Sequence, residues 1–371
     1  MARIALFLPL LSVGGAQRVF FRLARGFAQR GHEVDLVLAN ATGPLRGEVP
    51  AEANLINLGA SRVLWSIPRL ARYLRERRPH ALLATIAHAN LAAIAAKRLA
   101  RVSTLVAIRE ANTSKAERRS GSSLKCATVD LLRSRYYVKA DVIIANSHGA
   151  AESLQKHNRL PSEKIRVVYN PVVSPELLHL AEQPLAHPWF ADATHPVVLG
   201  AGRLTRQKDF STLLRAFALV RRERPMRLVI VGDGEERARL CALAHQLGID
   251  EDVLLAGFDA NPYRYMRRAS VFVLSSRWEG LPNVLIEAMA CGAPVVSTDC
   301  PSGPREILED GKWGKLVPVG DPEAIAHAIL DTLARPSPLN PAERARDFSV
   351  EKIVEEYLRV LEIGSMPLSV P

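Results

Sequence analysis

The sequence predicts an α/β protein built from two doubly wound domains, each with a parallel sheet between layers of helices. Short apolar runs rich in β-branched residues alternate with longer helical patterns along nearly the whole chain. This alternation is typical of parallel sheets covered on both faces. The runs form two sets of six, separated by residues 170–196, which contain five Pro and read as a linker. A length of 371 residues suits two domains.

The first predicted domain covers residues 1–175. Helices are predicted at 16–30 and 66–77, between the first strands, because apolar residues there recur with the period of one helix face. Each strand is a short apolar run bounded by polar or turn residues. The six predicted strands are residues 4–8, 33–38, 81–85, 105–108, 142–145 and 165–168.

The second predicted domain covers residues 176–345. Its predicted helices include 209–222, 235–247 and 284–289, and its six strands are 197–199, 227–231, 253–255, 271–274, 294–297 and 314–317. A helical tail follows over 343–363, and we expect its part from 346 to cross back to the first domain. Residues 364–371 are expected to be disordered, and no segment is long and apolar enough to span a bilayer.

The net charge of +11 is unevenly distributed. Residues 1–175 hold 27 Lys and Arg against 11 Asp and Glu, a net +16, and the remainder carries −5. This asymmetry indicates an anionic partner, whether nucleic acid, a membrane surface or a phosphorylated substrate. The alternative is that basic residues merely cover solvated helices. The four Cys form no C-x-x-C pair, which argues against a disulfide framework or structural zinc and suits a reducing cytosol.

Loops at the carboxyl ends of the first domain's strands offer two candidate contacts. Gly14 and Gly15 follow the first strand and open a helix, where a ligand could approach the backbone; the alternative is an ordinary tight turn. The full dinucleotide-binding glycine pattern is not met. His88, after the third strand, is a candidate polar or acid–base group, or else a structural histidine.

Two loops of the second domain carry a stronger signal. Gly202, Arg203 and Lys208 follow its first strand, and two cations beside glycines suit a diphosphate. The alternative is a solvated basic loop. Glu279 and Glu287 follow the fourth strand, with Glu287 inside an apolar helical run where an unpaired carboxylate would be costly. Carboxylates accept hydrogen bonds from sugar hydroxyls, so both are candidate ligand contacts.

Taken together, these motifs resemble the retaining glycosyltransferases of family 4, which have the GT-B fold. The resemblance spans nearly the whole chain and is densest over 200–320. It rests on Gly14-Gly15-Ala-Gln-Arg18, on Gly202-Arg203 with Lys208, on Val231-Gly-Asp-Gly-Glu235 and on the Glu279-x7-Glu287 spacing. The run Ser297-Thr-Asp-Cys-Pro-Ser-Gly-Pro-Arg-Glu-Ile307 is similar to bacterial enzymes that extend polyprenyl-diphosphate-linked glycans for capsule, O-antigen or N-glycan assembly.

The resemblance implies two Rossmann-like domains facing a central cleft and a transfer that retains anomeric configuration. The donor would be a nucleotide sugar, UDP-linked by the branch resemblance, that supplies a hexose or N-acetylhexosamine. The acceptor would be a lipid-diphosphate-linked glycan at the inner face of the cell membrane. Neither a metal, a cofactor nor nucleic acid is expected. The acidic triplet Asp250-Glu-Asp252 is interpreted as a solvated loop.

Site roles follow from the resemblance position by position. Arg203 and Lys208 would neutralise the donor diphosphate, Glu279 would bind hydroxyls of the transferred sugar, Glu287 would hold the ribose, and His88 would contact the donor sugar. Arg18 and Arg109 are candidates for the acceptor phosphates. The other implied donor-binding positions are Gly14, Gly15, Gly202, Phe258, Gly280, Leu281, Asn283 and Val284.

A basic, partly apolar stretch at 97–139 indicates contact with anionic lipid, with Lys125, Arg133 and Arg135 as candidate surface residues. Residues 63–78 are a second candidate; a helix packed by its apolar stripe is the alternative for both. The sequence leaves two rival functions open. One is a GT-B-shaped nucleotide-sugar epimerase or hydrolase, and the other is a non-enzymatic nucleic-acid-binding protein, for which no recognition motif is present.

Overall fold

A computed structural model describes residues 1–12, 14–110, 133–191 and 194–364. The chain divides into two compact units. Unit 1 comprises residues 1–171 and the C-terminal segment from Val350, and unit 2 comprises residues 172–349. The boundaries expected from the sequence, after residues 175 and 345, lie within a few residues of these.

Unit 1 contains a parallel sheet whose strands follow the order β3-β2-β1-β4-β5-β6-β7. All six predicted strands match within two residues at each end; the largest difference is in the strand predicted at 105–108, which continues to Glu110. The strands are β1 Arg3–Leu8, β2 Glu33–Leu38, β3 Ala53–Asn57, β4 Ala81–Thr85, β5 Leu105–Glu110, β6 Val142–Ala145 and β7 Ile165–Val167. The helices between them are α1 Gly15–Gln29, α2 Ile67–Arg77, α3 Ala87–Ala100 and α4 His148–Asn158.

Strand β3 was not predicted from the sequence. It pairs with β2 from Val34↔Ala53 to Leu38↔Asn57 and lies at the edge of the sheet. None of its residues is buried, and two of the five are Asn. A half-exposed edge strand lacks the continuous apolar run that marks a central parallel strand, so its sequence does not predict a strand.

Unit 2 contains a second parallel sheet in the order β10-β9-β8-β11-β12-β13. Its predicted strands are confirmed with small shifts at their ends. The strands are β8 Val197–Ala201, β9 Arg227–Val231, β10 Val253–Gly257, β11 Val271–Leu274, β12 Val295–Thr298 and β13 Lys315–Val317. The helices are α5 Pro175–Glu182, α6 Pro188–Ala191, α7 Phe210–Glu223, α8 Arg237–Gln246, α9 Tyr263–Met266, α10 Asn283–Ala290, α11 Pro304–Ile307, α12 Pro322–Ala334 and α13 Pro341–Ala345.

Two sequence-based expectations about connections need correction. The Pro-rich segment 170–196 is not a plain linker, because Ser174 caps α5 by accepting a hydrogen bond from the Leu177 amide. The C-terminal helical tail is not continuous. A short 3-10 turn at Arg346–Phe348 separates α13 from α14, which spans Val350–Val360. Of the described residues, none forms a helix long and apolar enough to cross a membrane.

Helix α14 belongs to unit 1 and completes one of its cores. Its buried side chains include Ile353, Val354 and Tyr357, which lie in one apolar cluster with Phe20 and Phe27 of α1. Gly26 of α1 is needed for this packing, since a Cβ there would lie 2.4 Å from a methyl group of Val354. The C-terminal helix therefore forms part of the folded unit 1.

Each of the two sheets has one point at which its strand order reverses direction. In unit 1 the strand order reverses direction between β1 and β4, and in unit 2 between β8 and β11. Loops that follow the strands at such a switch point diverge and leave a crevice, which is where open parallel sheets bind ligands. The candidate residues Gly14 and His88 follow β1 and β4, and Lys208 and Glu279 follow β8 and β11.

Candidate functional site

The loop that carries Arg203 and Lys208 packs against the loop that follows β9, which contains Gly232 and Gly234. The Gly202 amide donates to the Val231 carbonyl at 2.9 Å, and the Leu204 amide donates to the Asp233 carbonyl at 2.9 Å. Gly232 has a φ of +141°, and a Cβ there would lie 2.0 Å from the Gly202 carbonyl oxygen. The two loops therefore pack backbone against backbone, which fixes the base of the loop leading to Lys208.

This packing predicts that Gly232→Ala destabilises the protein by about 3 kcal/mol, because the methyl group meets backbone and the φ is strained. Gly248→Ala is the matched control. Gly248 also has a positive φ, +66°, but nothing lies within 4 Å of an added Cβ. We expect about 1 kcal/mol for the control. Urea unfolding measures both values, and equal losses would contradict the close loop packing.

Lys208 and Glu279 form the central pair of the unit 2 site. The Lys208 Nζ donates to Glu279 Oε1 at 2.7 Å. Both groups are largely withdrawn from solvent, with side chains 16% and 9% exposed. Arg203, by contrast, is exposed and pairs with no carboxylate of the described residues. The structure thus brings together an ammonium and a carboxylate that lie 71 residues apart in sequence.

Serine and threonine side chains hold the Glu279 loop in place. The Ser276 hydroxyl, fully buried, donates to Glu279 Oε1 at 2.7 Å. The Thr298 hydroxyl donates to the Ser276 carbonyl at 2.6 Å, and the Ser275 hydroxyl donates to the Lys208 carbonyl at 2.8 Å. These bonds join β11, β12 and the Lys208 loop, so the carboxylate and the ammonium are positioned by the sheet itself.

Ser276 and Gln207 were not singled out from the sequence, although each bonds Glu279. The Gln207 side-chain amide donates to the Trp278 carbonyl at 2.9 Å and lies 3.5 Å from Glu279 Oε2. Both residues are polar and occupy loops that directly follow strands at the switch point. A search for small polar residues within a few positions of each candidate charge would have found them.

The loop after Glu279 enters helix α10. Its first residue, Asn283, and the next, Val284, are partly exposed, and Glu287 lies partly exposed one turn further along. Gly280 and Leu281 are buried, and the Gly280 carbonyl accepts a hydrogen bond from the Ser302 hydroxyl at 2.8 Å. Amides in the first turn of a helix favour anions. The position of this helix start therefore suits a phosphate.

Two buried cysteines lie near the site carboxylates. Burial, followed by the charge of Glu287, raises the pKa of the Cys291 thiol to about 12. Burial and then the charge of Glu279 raise the pKa of the Cys300 thiol to about 12 as well. Both thiols therefore stay protonated at neutral pH and are poor nucleophiles. The groups of this site that can take part in chemistry at neutral pH are therefore its charged side chains, and not these thiols.

Phe258 has the exposure expected of a stacking platform. Its side chain is 67% exposed and follows Gly257 at the end of β10.

The acidic triplet at 250–252 proves more structured than the solvated loop expected from the sequence. Asp252 forms ion pairs with Arg221, at 2.5 Å, and with Arg227. That carboxylate therefore serves to hold β9 and α7 together.

In unit 1 the candidate residue His88 is part of a helix, not of the loop expected from the sequence. It is the second residue of α3, which begins at Ala87 directly after Ile86. Ile86 has a φ of +75°, a strained conformation for a β-branched residue, and its carbonyl accepts from the Ala89 and Asn90 amides at 2.9 Å each. Desolvation by the surrounding protein lowers the pKa of the His88 ring below its ordinary 6.5, so the imidazole is mainly neutral at pH 7.

The glycines of unit 1 lie where the sequence placed them, at the start of α1. Gly14 precedes the helix in an extended conformation, and Gly15 is its first residue and exposed. The next turn is held by Gln17, whose amide donates to the Ser12 hydroxyl at 2.8 Å. Arg18 is partly exposed and remains a candidate for an anionic group.

Arg109 is wrongly placed by the sequence-based interpretation. Its side chain is only 1% exposed and contacts Tyr357 of α14, to whose hydroxyl its Nε donates at 3.2 Å. Further donor groups bond Thr85, at 3.3 Å, and Asn170. The guanidinium thus uses its donors inside the core of unit 1, where it links the end of β5 to α14. It is not available to an acceptor phosphate.

Arg133 is also buried, which corrects its assignment to a membrane-facing surface. Its side chain is 2% exposed, and its NH2 lies 3.7 Å from the Glu110 carboxylate. A buried Arg is stable only when it is paired, and here Glu110 provides the partner. Arg135 is exposed, as predicted for a surface residue. Lys125 lies outside the described residues.

Comparison with known proteins agrees with this arrangement of sheets and loops. A model of Glycosyltransferase Family 4 matches residues 13–174, and a model of Glycosyl transferases group 1 matches residues 186–349. Anabaena HepE, solved in complex with UDP and glucose, superimposes with a TM-score of 0.77, covering 98% of this chain and 100% of its own. At 21% identity this likeness shows the fold.

Two curated relatives extend the comparison. The lipopolysaccharide core biosynthesis glycosyltransferase LpsE of Rhizobium meliloti is 31% identical over 358 residues, which is 94% of this chain and 96% of the relative. The N-acetylgalactosamine-N,N'-diacetylbacillosaminyl-diphospho-undecaprenol 4-alpha-N-acetylgalactosaminyltransferase of Campylobacter jejuni is 35% identical over 235 residues, 62% of each chain. The alignment therefore spans less than two thirds of that enzyme. With both family models and a full-length relative in agreement, this chain belongs to glycosyltransferase family 4 and has the GT-B fold.

Proposed function

We propose that this protein transfers a hexose or N-acetylhexosamine from a UDP-linked donor to a lipid-diphosphate-linked glycan, with retention of anomeric configuration. The observation that carries the proposal is the Lys208–Glu279 pair at the switch point of the unit 2 sheet. An ammonium for a leaving diphosphate and a carboxylate for sugar hydroxyls are the two groups that such a donor requires.

The reaction would break the bond between the anomeric carbon and the donor phosphate oxygen and form one to an acceptor hydroxyl on the same face. The acceptor proton would pass to the departing phosphate oxygen. Lys208 and the exposed Arg203 would stabilise the charge that develops on the diphosphate, aided by the α10 amides at Asn283 and Val284. We assign this neutralisation to the two cations, without a metal ion, because both follow β8 at the ligand-binding edge.

The remaining candidates complete the binding site in this proposal. Glu287, one turn into α10, would accept the ribose hydroxyls, and the exposed Phe258 ring would lie against the base. In unit 1, the neutral His88 imidazole would hydrogen-bond the transferred sugar. The relatives' names support the substrate classes: one names a diphospho-undecaprenol acceptor, another lipopolysaccharide core assembly. HepE was solved with UDP and glucose.

Isothermal titration calorimetry with UDP, GDP and ADP tests the donor nucleotide. We expect UDP to bind most tightly. Preferential binding of GDP or ADP would contradict the UDP assignment while leaving the transferase proposal intact. Incubation with UDP-sugars without acceptor tests the rival enzymes, because accumulation of an epimer as main product would favour an epimerase.

Binding to duplex DNA and to anionic liposomes, measured at several salt concentrations, tests the rival nucleic-acid function. Salt-sensitive duplex binding that is tighter than liposome binding would favour that function.

We further propose that unit 1 contacts the inner face of the membrane through a basic cluster of Arg98, Arg135 and Lys139. Partial desolvation, and then the positive charges of Arg98 and Arg135, lower the pKa of the Lys139 ammonium. Among the described residues no carboxylate pairs with any of the three. Their mutual repulsion would be relieved by anionic headgroups. Tyr136, 41% exposed and 4.4 Å beneath the Lys139 ammonium, adds an aromatic ring suited to the interface.

Replacing Arg98, Arg135 and Lys139 together by Ser is expected to weaken binding to anionic vesicles at least tenfold, since each basic residue near such a surface contributes about 1 kcal/mol. The control replaces three exposed arginines of unit 2, namely Arg215, Arg222 and Arg224, by Ser. It makes the same change in net charge. Vesicle flotation measures both variants, and equal weakening would show that total charge, not this cluster, governs binding.

A further inference from the structure

We infer that Gln207 is a specificity-determining residue, which reads a sugar hydroxyl adjacent to the one bound by Glu279. The inference rests on the proposed donor site and deepens it. The starting observation is that the two oxygens of the Glu279 carboxylate are used differently. Oε1 accepts hydrogen bonds from the Lys208 ammonium and the Ser276 hydroxyl, both at 2.7 Å.

A carboxylate oxygen has two lone pairs, so these two donors fill Oε1. The donor near Oε2 is the Gln207 amide at 3.5 Å, the outer limit of a hydrogen bond. That same amide makes a better bond of 2.9 Å to the Trp278 carbonyl. Oε2 therefore keeps the capacity to accept a hydrogen bond from a sugar hydroxyl.

The orientation of the Gln207 amide follows from its neighbours. Its NH2 group faces two acceptors, the Trp278 carbonyl and Glu279 Oε2, so the opposite rotamer would place oxygen against oxygen. The Gln207 amide oxygen consequently points away from both, and no described residue donates to it. Two hydrogen-bond acceptors, the charged Oε2 of the largely buried Glu279 and the neutral amide oxygen of the partly exposed Gln207, thus lie on neighbouring side chains.

Neighbouring hydroxyls of a pyranose suit such a pair of acceptors. One hydroxyl would donate to Glu279 Oε2 and the next to the Gln207 amide oxygen. Inverting the configuration of the second hydroxyl would remove its bond and leave the amide oxygen unpaired. Sites that hydrogen-bond a substrate hydroxyl reject analogues that cannot make the bond far better than apolar pockets discriminate by size. Gln207 would therefore help to choose among epimeric sugars.

Calorimetric binding of UDP-glucose, UDP-galactose, UDP-N-acetylglucosamine, UDP-N-acetylgalactosamine and UDP tests this role. For Gln207→Met, which keeps the length of the side chain, we expect the Kd of the preferred UDP-sugar to rise about tenfold. The Kd of its epimer and of UDP should change less than twofold. Gln246→Met, on the exposed end of α8, is the matched control and should change none of these values.

If Gln207 only holds the Trp278 carbonyl in place, a different result is expected. In that case Gln207→Met would weaken all ligands alike, UDP included, and this uniform loss would overturn the inference. Unchanged binding of every ligand would overturn it equally. If the unaltered protein binds UDP and binds all four UDP-sugars with the same Kd, the sugar subsite itself is refuted. Absence of any UDP binding would instead refute the proposed donor, and the inference with it.

Discussion

Replacing Lys208 by Met is expected to lower kcat for sugar transfer by about 10²–10³-fold, the usual loss when one charge-stabilising donor is removed from a transition state. The Lys208 ammonium is partly buried and lies 2.7 Å from Glu279, so its position is fixed before any donor arrives. Its charge matters most as the diphosphate departs, and KM should therefore change much less than kcat. Steady-state kinetics with the preferred UDP-sugar measure both parameters.

Lys208→Arg serves as the control, because it keeps the charge but changes its geometry. We expect it to recover part of the lost rate, with a melting temperature close to that of the unaltered protein. A fold defect in Lys208→Met would appear in circular dichroism, and the kinetics would then be compared at a temperature where both proteins are folded. A loss confined to KM would contradict the proposed role of Lys208 in the transition state.

Replacing Glu279 by Gln is expected to lower kcat/KM for the UDP-sugar by about 10²-fold without weakening the binding of UDP. The amide oxygen of the new side chain can still accept from Lys208 and Ser276, but its NH2 cannot accept from a sugar hydroxyl. A hydrogen bond to a charged group contributes about 1.5–3 kcal/mol, which agrees with the expected loss. Without the carboxylate, Lys208 is no longer neutralised, so the affinity for UDP should stay equal or increase.

Glu323→Gln is the matched control for this substitution. Glu323 is exposed in the first turn of α12, and the same loss of one negative charge there should leave both kcat/KM and UDP affinity unchanged. Calorimetry with UDP and kinetics with the UDP-sugar separate the two effects. If Glu279→Gln weakened UDP to the same extent as the UDP-sugar, Glu279 would support the phosphate site and not the sugar site.

The sheets were predictable because central parallel strands are continuous apolar runs, whatever else the sequence contains. The edge strand β3 escapes prediction since two of its three exposed positions carry Asn and it has no such run. His88 is expected in a loop, yet it is the second residue of α3, because the strained Ile86 precedes the helix and no capping side chain marks the boundary. Propensity does not encode a strained residue that tertiary packing maintains.

Charged residues were harder to interpret than apolar ones. Arg109 and Arg133 look like surface cations in the sequence, but each is buried beside a partner distant along the chain, Tyr357 and Glu110 respectively. Glu279 illustrates the converse. Its spacing to Glu287 marked it as a candidate, whereas its bond to Ser276 and its pairing with Lys208 depend on how β8 and β11 adjoin in the sheet. Pairings of this kind follow from the topology of the fold and not from local sequence pattern.

Mass spectrometry of the lipid product tests the central claim most directly. The protein is incubated with the preferred UDP-sugar and an undecaprenyl-diphosphate-linked oligosaccharide, and the lipid is then extracted. We predict that the acceptor gains the mass of one sugar residue, that one UDP is released per sugar transferred, and that Lys208→Met loses this product. Release of UDP with an unchanged acceptor would indicate a hydrolase, and neither UDP release nor acceptor extension with any nucleotide sugar would contradict the account.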